Sequence, residues 1–432
     1  MNSVNNSQSV NNNDSSGEGN YHTGPNSSIW ARSLALFANF FLIILAYYQV
    51  KTASRALLLE AGGSSLFPYV WVISAVTLAT IIGFYHQIVK NYSRVAVVLG
   101  ALVVFSALLC LFRYLTPGFN TASALSFYVF VDIFSVILVE QFWSLTNSVS
   151  TAEQGRSTFW FVGTGGLCGG LVGGLLASEL VDKGIIQTID LLYVCAGLLI
   201  VTLIMNTLMW RRGMYTEVTA ETTIVDPAGG WRTLAANPYL LLIASLLCLS
   251  QLAQPIVEYQ FIHSIEQTYD STADRTVYIG RFFAFLSVAA IAINLVATPL
   301  IHRFLGIFAG LAVQPIVLAC SAFGFFIHPT LSIAAGMKVA DRGLSYSINR
   351  ASKEQLYIPV DATSTYQAKA WIDMLGYRLF KVLGSGLILL TTVWLPIFSV
   401  AELSVLTFVI CLIWLYTIAL VARYYFREVP AV

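Results

Sequence analysis

Apolar residues fall in long blocks along this chain, and polar positions gather between them. A helix that crosses a membrane needs about 20 apolar residues. Twelve blocks reach that length, at 33–59, 66–88, 94–115, 121–147, 158–181, 187–210, 238–262, 278–302, 304–327, 330–356, 367–393 and 397–423. Each predicts a spanning helix. The longest polar connector, 211–237, follows the sixth block and divides the chain six and six. One run breaks the pattern. Between Lys338 and Lys381 lie seven basic and four acidic residues, set between blocks long enough to span. Charges at such depth are costly unless they face a partner or a water-filled cavity.

Composition agrees with the blocks. The 432 residues are 57% hydrophobic and 10% charged, whereas soluble domains carry roughly 25% charged residues. The fold class expected is an all-α polytopic membrane protein of about twelve helices in two six-helix bundles. That is the layout of the major facilitator type, with a central cavity between two similar halves. The divisions expected are a disordered cytosolic tail (1–28, Asn- and Ser-rich), one bundle (29–210), a cytosolic linker (211–237), a second bundle (238–423) and a short cytosolic tail (424–432). The tail has no Lys or Arg and no apolar run, which argues against a signal or transit peptide. Basic residues concentrate in alternate connectors, including Lys90, Arg94, Arg156, Arg211, Arg212, Arg232, Arg303, Arg350 and Lys353. By the positive-inside rule both termini are cytosolic. A net charge of +1 argues against a nucleic-acid surface.

Charged residues inside the blocks are the candidate site. Lys51 and Arg55, at i and i+4, share a face of the first helix. Either that helix ends near Gln49 and both charges reach the outer interface, or they face the cavity as anion-binding cations. The fourth helix carries Asp132 and Glu140, and the seventh carries Glu258 three residues after Pro255. These carboxylates could titrate, balance the cations of an empty cavity, or form structural ion pairs. On a straight tenth helix Lys338, Arg342, Asn349 and Lys353 fall within about 60° of one another, which predicts one basic stripe. Lys369 and Asp373, at i and i+4, open the eleventh helix, with Arg378 and Lys381 deeper. The surplus of cations suits a phosphorylated anion, which Arg binds bidentately and Lys as a point charge. A cytosolic hairpin laced by salt bridges is the alternative for Arg350 to Lys369.

Other chemistry finds little support. The fifth helix contains GTGGLCGGLVGGLL, which reads as a close-packing face, because no GK[ST] follows to make a phosphate loop. Six cysteines lie singly in apolar segments and five histidines show no metal spacing. No nucleophile–base set is visible, so an enzyme is not expected, and neither is a cofactor or a metal.

The run SYSINRASKEQLYIPVDATSTYQAKAWIDMLGYRLFK resembles the signature of the bacterial and plastid ATP/ADP translocases. It keeps Lys353-Glu354, Tyr357-Ile358-Pro359, Asp361, Ala368-Lys369-Ala370, Ile372-Asp373 and Arg378. VKTASRALLLEAGGSS and VEQFWSLTNS are similar to that family's first- and fourth-helix blocks. The resemblance implies that Lys51, Glu140, Glu258 and one or both of Lys353 and Lys369 serve in nucleotide binding or transport. The chain departs from the family at Thr52, where an Asp is usual. It departs again at Phe261-Ile262, which lack a basic residue, and at Gln367-Ala368-Lys369, where paired lysines are usual. Function is therefore expected to be secondary active transport of nucleotides by alternating access, by a monomer in the bacterial inner membrane. A proton symporter of another phosphorylated or organic anion, and a non-transporting scaffold or sensor, remain as alternatives. In that reading Lys51, Arg55, Glu140, Glu258, Lys338, Arg342, Asn349, Lys353 and Lys369 bind substrate. Glu140, Glu258, Asp132 and Asp373 serve coupling or charge balance.

Overall fold

The computed structural model describes residues 26–89, 92–115, 120–215 and 227–428. The expected tail lies outside the described residues as far as residue 25, and residues 26–28 already belong to the first helix. Six long helices come first: α1 (Asn26–Gly62), α2 (Phe67–Val89), α3 (Arg94–Leu115), α4 (Thr121–Ser148), α5 (Ala152–Asp182) and α6 (Leu191–Arg211). A short α7 (Pro227–Ala236) occupies the end of the connector. Next come α8 (Pro238–Thr268) and α9 (Thr272–Ala292), which runs through a π turn into α10 (Thr298–Phe304). They are followed by α11 (Gly306–Ile327), α12 (Leu331–Leu344), α13 (Arg350–Gln355), α14 (Ala362–Trp371), α15 (Tyr377–Ile388) and α16 (Leu403–Glu428).

Ten helical segments among the described residues are long and apolar enough to cross a membrane. The expected tenth and eleventh spans fall short of that measure because they carry the charged run. They are continuous all the same: α12 passes through a π turn at Ser345–Asn349 into α13, and α14 through another at Ile372–Gly376 into α15. The starts follow local chemistry. Asn120 and Ser123 cap α4 reciprocally, as Thr151 and Gln154 cap α5, and Asp361 accepts from the Ser364 amide to start α14. The connector is not bare loop. Trp231 on α7 lies 5.3 Å from the Trp371 ring, and Thr233 donates to Gln367.

The glycines of α5 do what a small-residue face allows, which is to bring backbones together. A Cβ on Gly174 would sit 2.5 Å from the Gly280 carbonyl oxygen of α9, and one on Gly173 would sit 3.0 Å from the Leu45 carbonyl oxygen of α1. Gln49, fully buried on α1, donates to the Gly173 carbonyl at 2.9 Å. The glycine face of α5 thus seats α1 on one side and α9 on the other, so the first six helices meet the later ones at a backbone-to-backbone crossing. Gly174→Val is expected to force α5 and α9 apart. The cost would be about 1–3 kcal/mol, read as a lowered unfolding temperature of the purified protein.

Candidate functional site

A cavity of about 360 Å³ lies between α1, α2 and α4 on one side and α8, α9, α12 and α15 on the other. Helical spacing explains who faces it. Tyr47, Lys51 and Arg55 are successive i, i+4 positions on α1; Tyr128 and Asp132 on α4, Gln254 and Glu258 on α8, and Lys338 and Arg342 on α12 repeat that interval. Arg378 and Lys381, at i and i+3, supply α15. The lining therefore holds six cations, Lys51, Arg55, Lys338, Arg342, Arg378 and Lys381, against two carboxylates, Asp132 and Glu258.

The two carboxylates are used differently. Glu258 is buried and shared: one oxygen lies 3.3 Å from Arg55 Nε and the other 2.6 Å from Lys338 Nζ. Because Arg55 belongs to α1 and Glu258 to α8, this ion pair joins the two halves of the chain across the cavity. Lys338 is almost wholly buried and also donates to Asp341 at 3.0 Å. A buried ammonium needs such partners, since an unpaired charge out of water is prohibitively costly. Asp132 is half-buried and lines the wall beside Tyr128.

Lys51 is held in another way. Its Nζ lies 4.0 Å from the Phe283 ring centroid, 4.4 Å from Tyr48 and 5.3 Å from Tyr47. Aromatic faces attract a cation without neutralising it. Among the described residues no carboxylate lies within salt-bridge distance of Lys51, Arg378 or Lys381. These three cations thus lack a direct carboxylate contact, while Glu140 acts on Arg378 and Asp132 on Lys381 from beyond that distance. Ser74 also lines the wall, and its buried hydroxyl has no hydrogen-bond partner among the described residues.

The sequence expectations divide on this geometry. The first helix does not end at Gln49; α1 continues to Gly62, and Lys51 and Arg55 lie in the cavity wall rather than at an interface. Pro255 does not interrupt α8. The single basic stripe of the tenth segment is overturned. The π turn at Ser345–Asn349 takes in more residues per turn than an α-helix and rotates everything after it. Lys338 and Arg342 keep the cavity face. Asn349 turns to α11, where its Nδ2 donates to Gln314 Oε1 at 2.7 Å, and Lys353 donates to the Tyr377 hydroxyl at 3.1 Å. Neither lines the cavity.

Lys369 pairs with Glu354, over the Tyr357 ring, which is the salt-bridged hairpin the sequence left open. Glu140 is exposed and outside the lining, two turns past Asp132. The Asp373 side chain lies outside the described residues. Arg378 and Lys381 join the lining although the sequence reading places neither among the substrate-binding residues; their i, i+3 spacing deep in an apolar block is the signal for them. The aromatic wall gave no signal, because Phe, Tyr and Trp make up 13% of the chain.

Residues 115–425 match the TLC ATP/ADP transporter family. The chain belongs to that family. It is 22% identical to ADP,ATP carrier protein 1 of Chlamydia trachomatis over 425 residues, covering 82% of this chain and 80% of the relative. It is 20% identical to ADP,ATP carrier protein 1 of Rickettsia conorii over 336 residues, covering 68% and 67%. Among solved structures it is similar to a bacterial homologue of the iron transporter ferroportin in the inward-facing state, with a TM-score of 0.63 at 13% identity over 92% of this chain and 99% of the other. It is also similar to a bacterial homolog of the lysosomal transporter Spinster, likewise inward-facing, with a TM-score of 0.61 at 12% identity over 94% and 100%. These likenesses show the fold, which is that of the major facilitators. The TLC family member described here is a multi-pass membrane transporter and not an enzyme.

Proposed function

We propose that this transporter moves nucleotides across the bacterial inner membrane by alternating access, as an ATP/ADP-type exchanger or a nucleotide uptake system. The observation that carries the reading is the cavity's charge. Six cations face two carboxylates, and three of the cations have no carboxylate within salt-bridge distance among the described residues. A polyanion of di- or triphosphate size satisfies that excess, and a neutral solute does not. The aromatic wall of Tyr47, Tyr48, Trp71, Tyr128 and Phe283 offers flat apolar surface to a base, and Ser74 an unpaired hydroxyl.

In this reading Lys51, Arg342, Arg378 and Lys381 hold phosphates. Glu258 serves as the counter-ion that keeps Arg55 and Lys338 buried while the cavity is empty. The halves 29–210 and 238–423 rock about the cavity, with both termini on the cytosolic side.

In proteoliposomes, Lys51→Ala is expected to cut uptake of labelled ATP by roughly a hundredfold, as for loss of a charge-assisted phosphate contact of about 2–3 kcal/mol. Lys353→Ala, outside the cavity lining, is expected to retain most of it. Equal uptake by wild type and Lys51→Ala would sink the assignment. Competition by sugar phosphates or carboxylates as strong as that by nucleotides would move the substrate to another organic anion.

A further inference from the structure

Asp341 has no part in the mechanism proposed above, yet it is among the most buried charges in the protein, at 3% exposed. It does not line the cavity. It stands directly behind two residues that do: its Oδ2 lies 3.0 Å from Lys338 Nζ and 3.7 Å from Arg342 Nε. Its position is fixed from outside the cavity. The Asp341 backbone carbonyl accepts from Gln314 Nε2 at 3.1 Å, and Gln314 in turn accepts from Asn349. On the far side, Glu258 holds Lys338 at 2.6 Å.

Lys338 is therefore neutralised by direct contacts from two directions, whereas Lys51, Arg378 and Lys381 have no carboxylate within salt-bridge distance among the described residues. We propose that Asp341 is a positioning residue that sets how many negative charges the cavity accepts. It aims Lys338 and Arg342 and subtracts one unit of positive charge from behind the wall. A carboxylate in that place repels each additional phosphate charge. Removing its charge without changing its shape shifts preference toward the more highly charged member of a phosphate series. The inference rests on the cavity being a phosphate site, as the function above has it, but not on the base.

The experiment uses the full chain, purified, as wild type, Asp341→Asn and Asp341→Glu. Binding of ADP, ATP, inorganic pyrophosphate and inorganic triphosphate is measured by thermal shift and calorimetry, and nucleotide uptake in liposomes. Asp341→Asn is expected to raise the triphosphate-to-diphosphate affinity ratio about tenfold, the size expected for one unit charge acting across about 12 Å at an effective dielectric of about 20. Asp341→Glu is expected to keep the wild-type ratio. A loss of affinity equal for both members marks a merely structural role and overturns the proposal, as does an unchanged ratio. Should Asp341→Asn fail to fold, Asp341→Ser, which leaves room for a water beside Lys338, replaces it. If neither neutral variant folds while Asp341→Glu does, the structural role stands and the proposal falls. If the inorganic phosphates show the shift while no nucleotide binds, the nucleotide assignment fails and the charge-setting role of Asp341 survives.

Discussion

Glu258→Ala is expected to abolish transport and to destabilise the protein by about 3–5 kcal/mol, the range for breaking a buried ion pair from one side. The carboxylate lies between Arg55 at 3.3 Å and Lys338 at 2.6 Å. Its removal leaves Lys338, almost wholly buried, with Asp341 alone, and Arg55 without a carboxylate within salt-bridge distance among the described residues. Arg55 retains its bond to the Lys51 carbonyl at 3.2 Å and its place over the Tyr128 and Phe283 rings, which is orientation without charge compensation. The loss falls where the halves meet, since α1 and α8 are joined across the cavity by this pair. Thermal unfolding in detergent reads the stability term, and labelled ATP uptake reads the functional one.

Glu258→Gln separates them. It keeps the shape and a hydrogen-bonding oxygen, so it is expected to recover part of the unfolding temperature while transport stays low. Wild-type uptake by Glu258→Gln would mean that the charge at this position has no part in the cycle.

The sequence reached this residue, and several around it, by a simple route. A charge in the middle of an apolar block has to be paired or wetted, and Lys51, Arg55, Asp132, Glu258, Lys338 and Arg342 all satisfy that test and all line the cavity. The same rule could not tell Glu140 from Asp132. Both sit on α4, and which of them meets the cavity depends on where the neighbouring helices end and cross.

The stripe drawn through Asn349 and Lys353 failed for a sharper reason. It assumed an unbroken α-helix, and five residues of π geometry turn the later positions toward α11 and α15. Nothing in SYSIN announces a π turn. Its polar residues are those of any cavity-lining segment. Lys51 shows the converse. Sequence could place the cation, but its partners Tyr48 on its own helix and Phe283 on α9 are common residue types, joined only by the close crossing that the glycines of α5 permit.

A disulfide between Ser64→Cys and His263→Cys is expected to arrest transport to background, with reductant restoring it. Ser64 lies in the turn after α1, and its amide donates to Glu266 at 2.9 Å while its hydroxyl meets His263 Nδ1 at 3.0 Å. Both partners are on α8, so the turn is clasped to the other half of the chain. Gly63 makes the approach possible: its φ is +74°, and a Cβ there would lie 2.5 Å from Glu266 Oε1.

The same end of the molecule carries further ties between halves. Arg281 on α9 binds Asp182 of α5 at 2.6 Å, Thr188 meets Thr276 at 2.8 Å, and Trp394 donates to Tyr69 at 3.2 Å. Among the described residues at the opposite end, the Arg32–Gln154 and Lys369–Glu354 contacts each stay within one half. In alternating access a solute held between two halves leaves toward one side only when the ties on that side part. With the cytosolic termini and the alternating access proposed above, the clasped end is the outer one and is expected to open once per cycle.

Locking it leaves the cavity and its cations in place. Nucleotide binding to the oxidised protein, measured by calorimetry, is therefore expected to persist while uptake stops. Uptake at the wild-type rate with the disulfide formed would show that the clasp does not part during transport. The single variants, each carrying one of the two cysteines, control for the six native thiols.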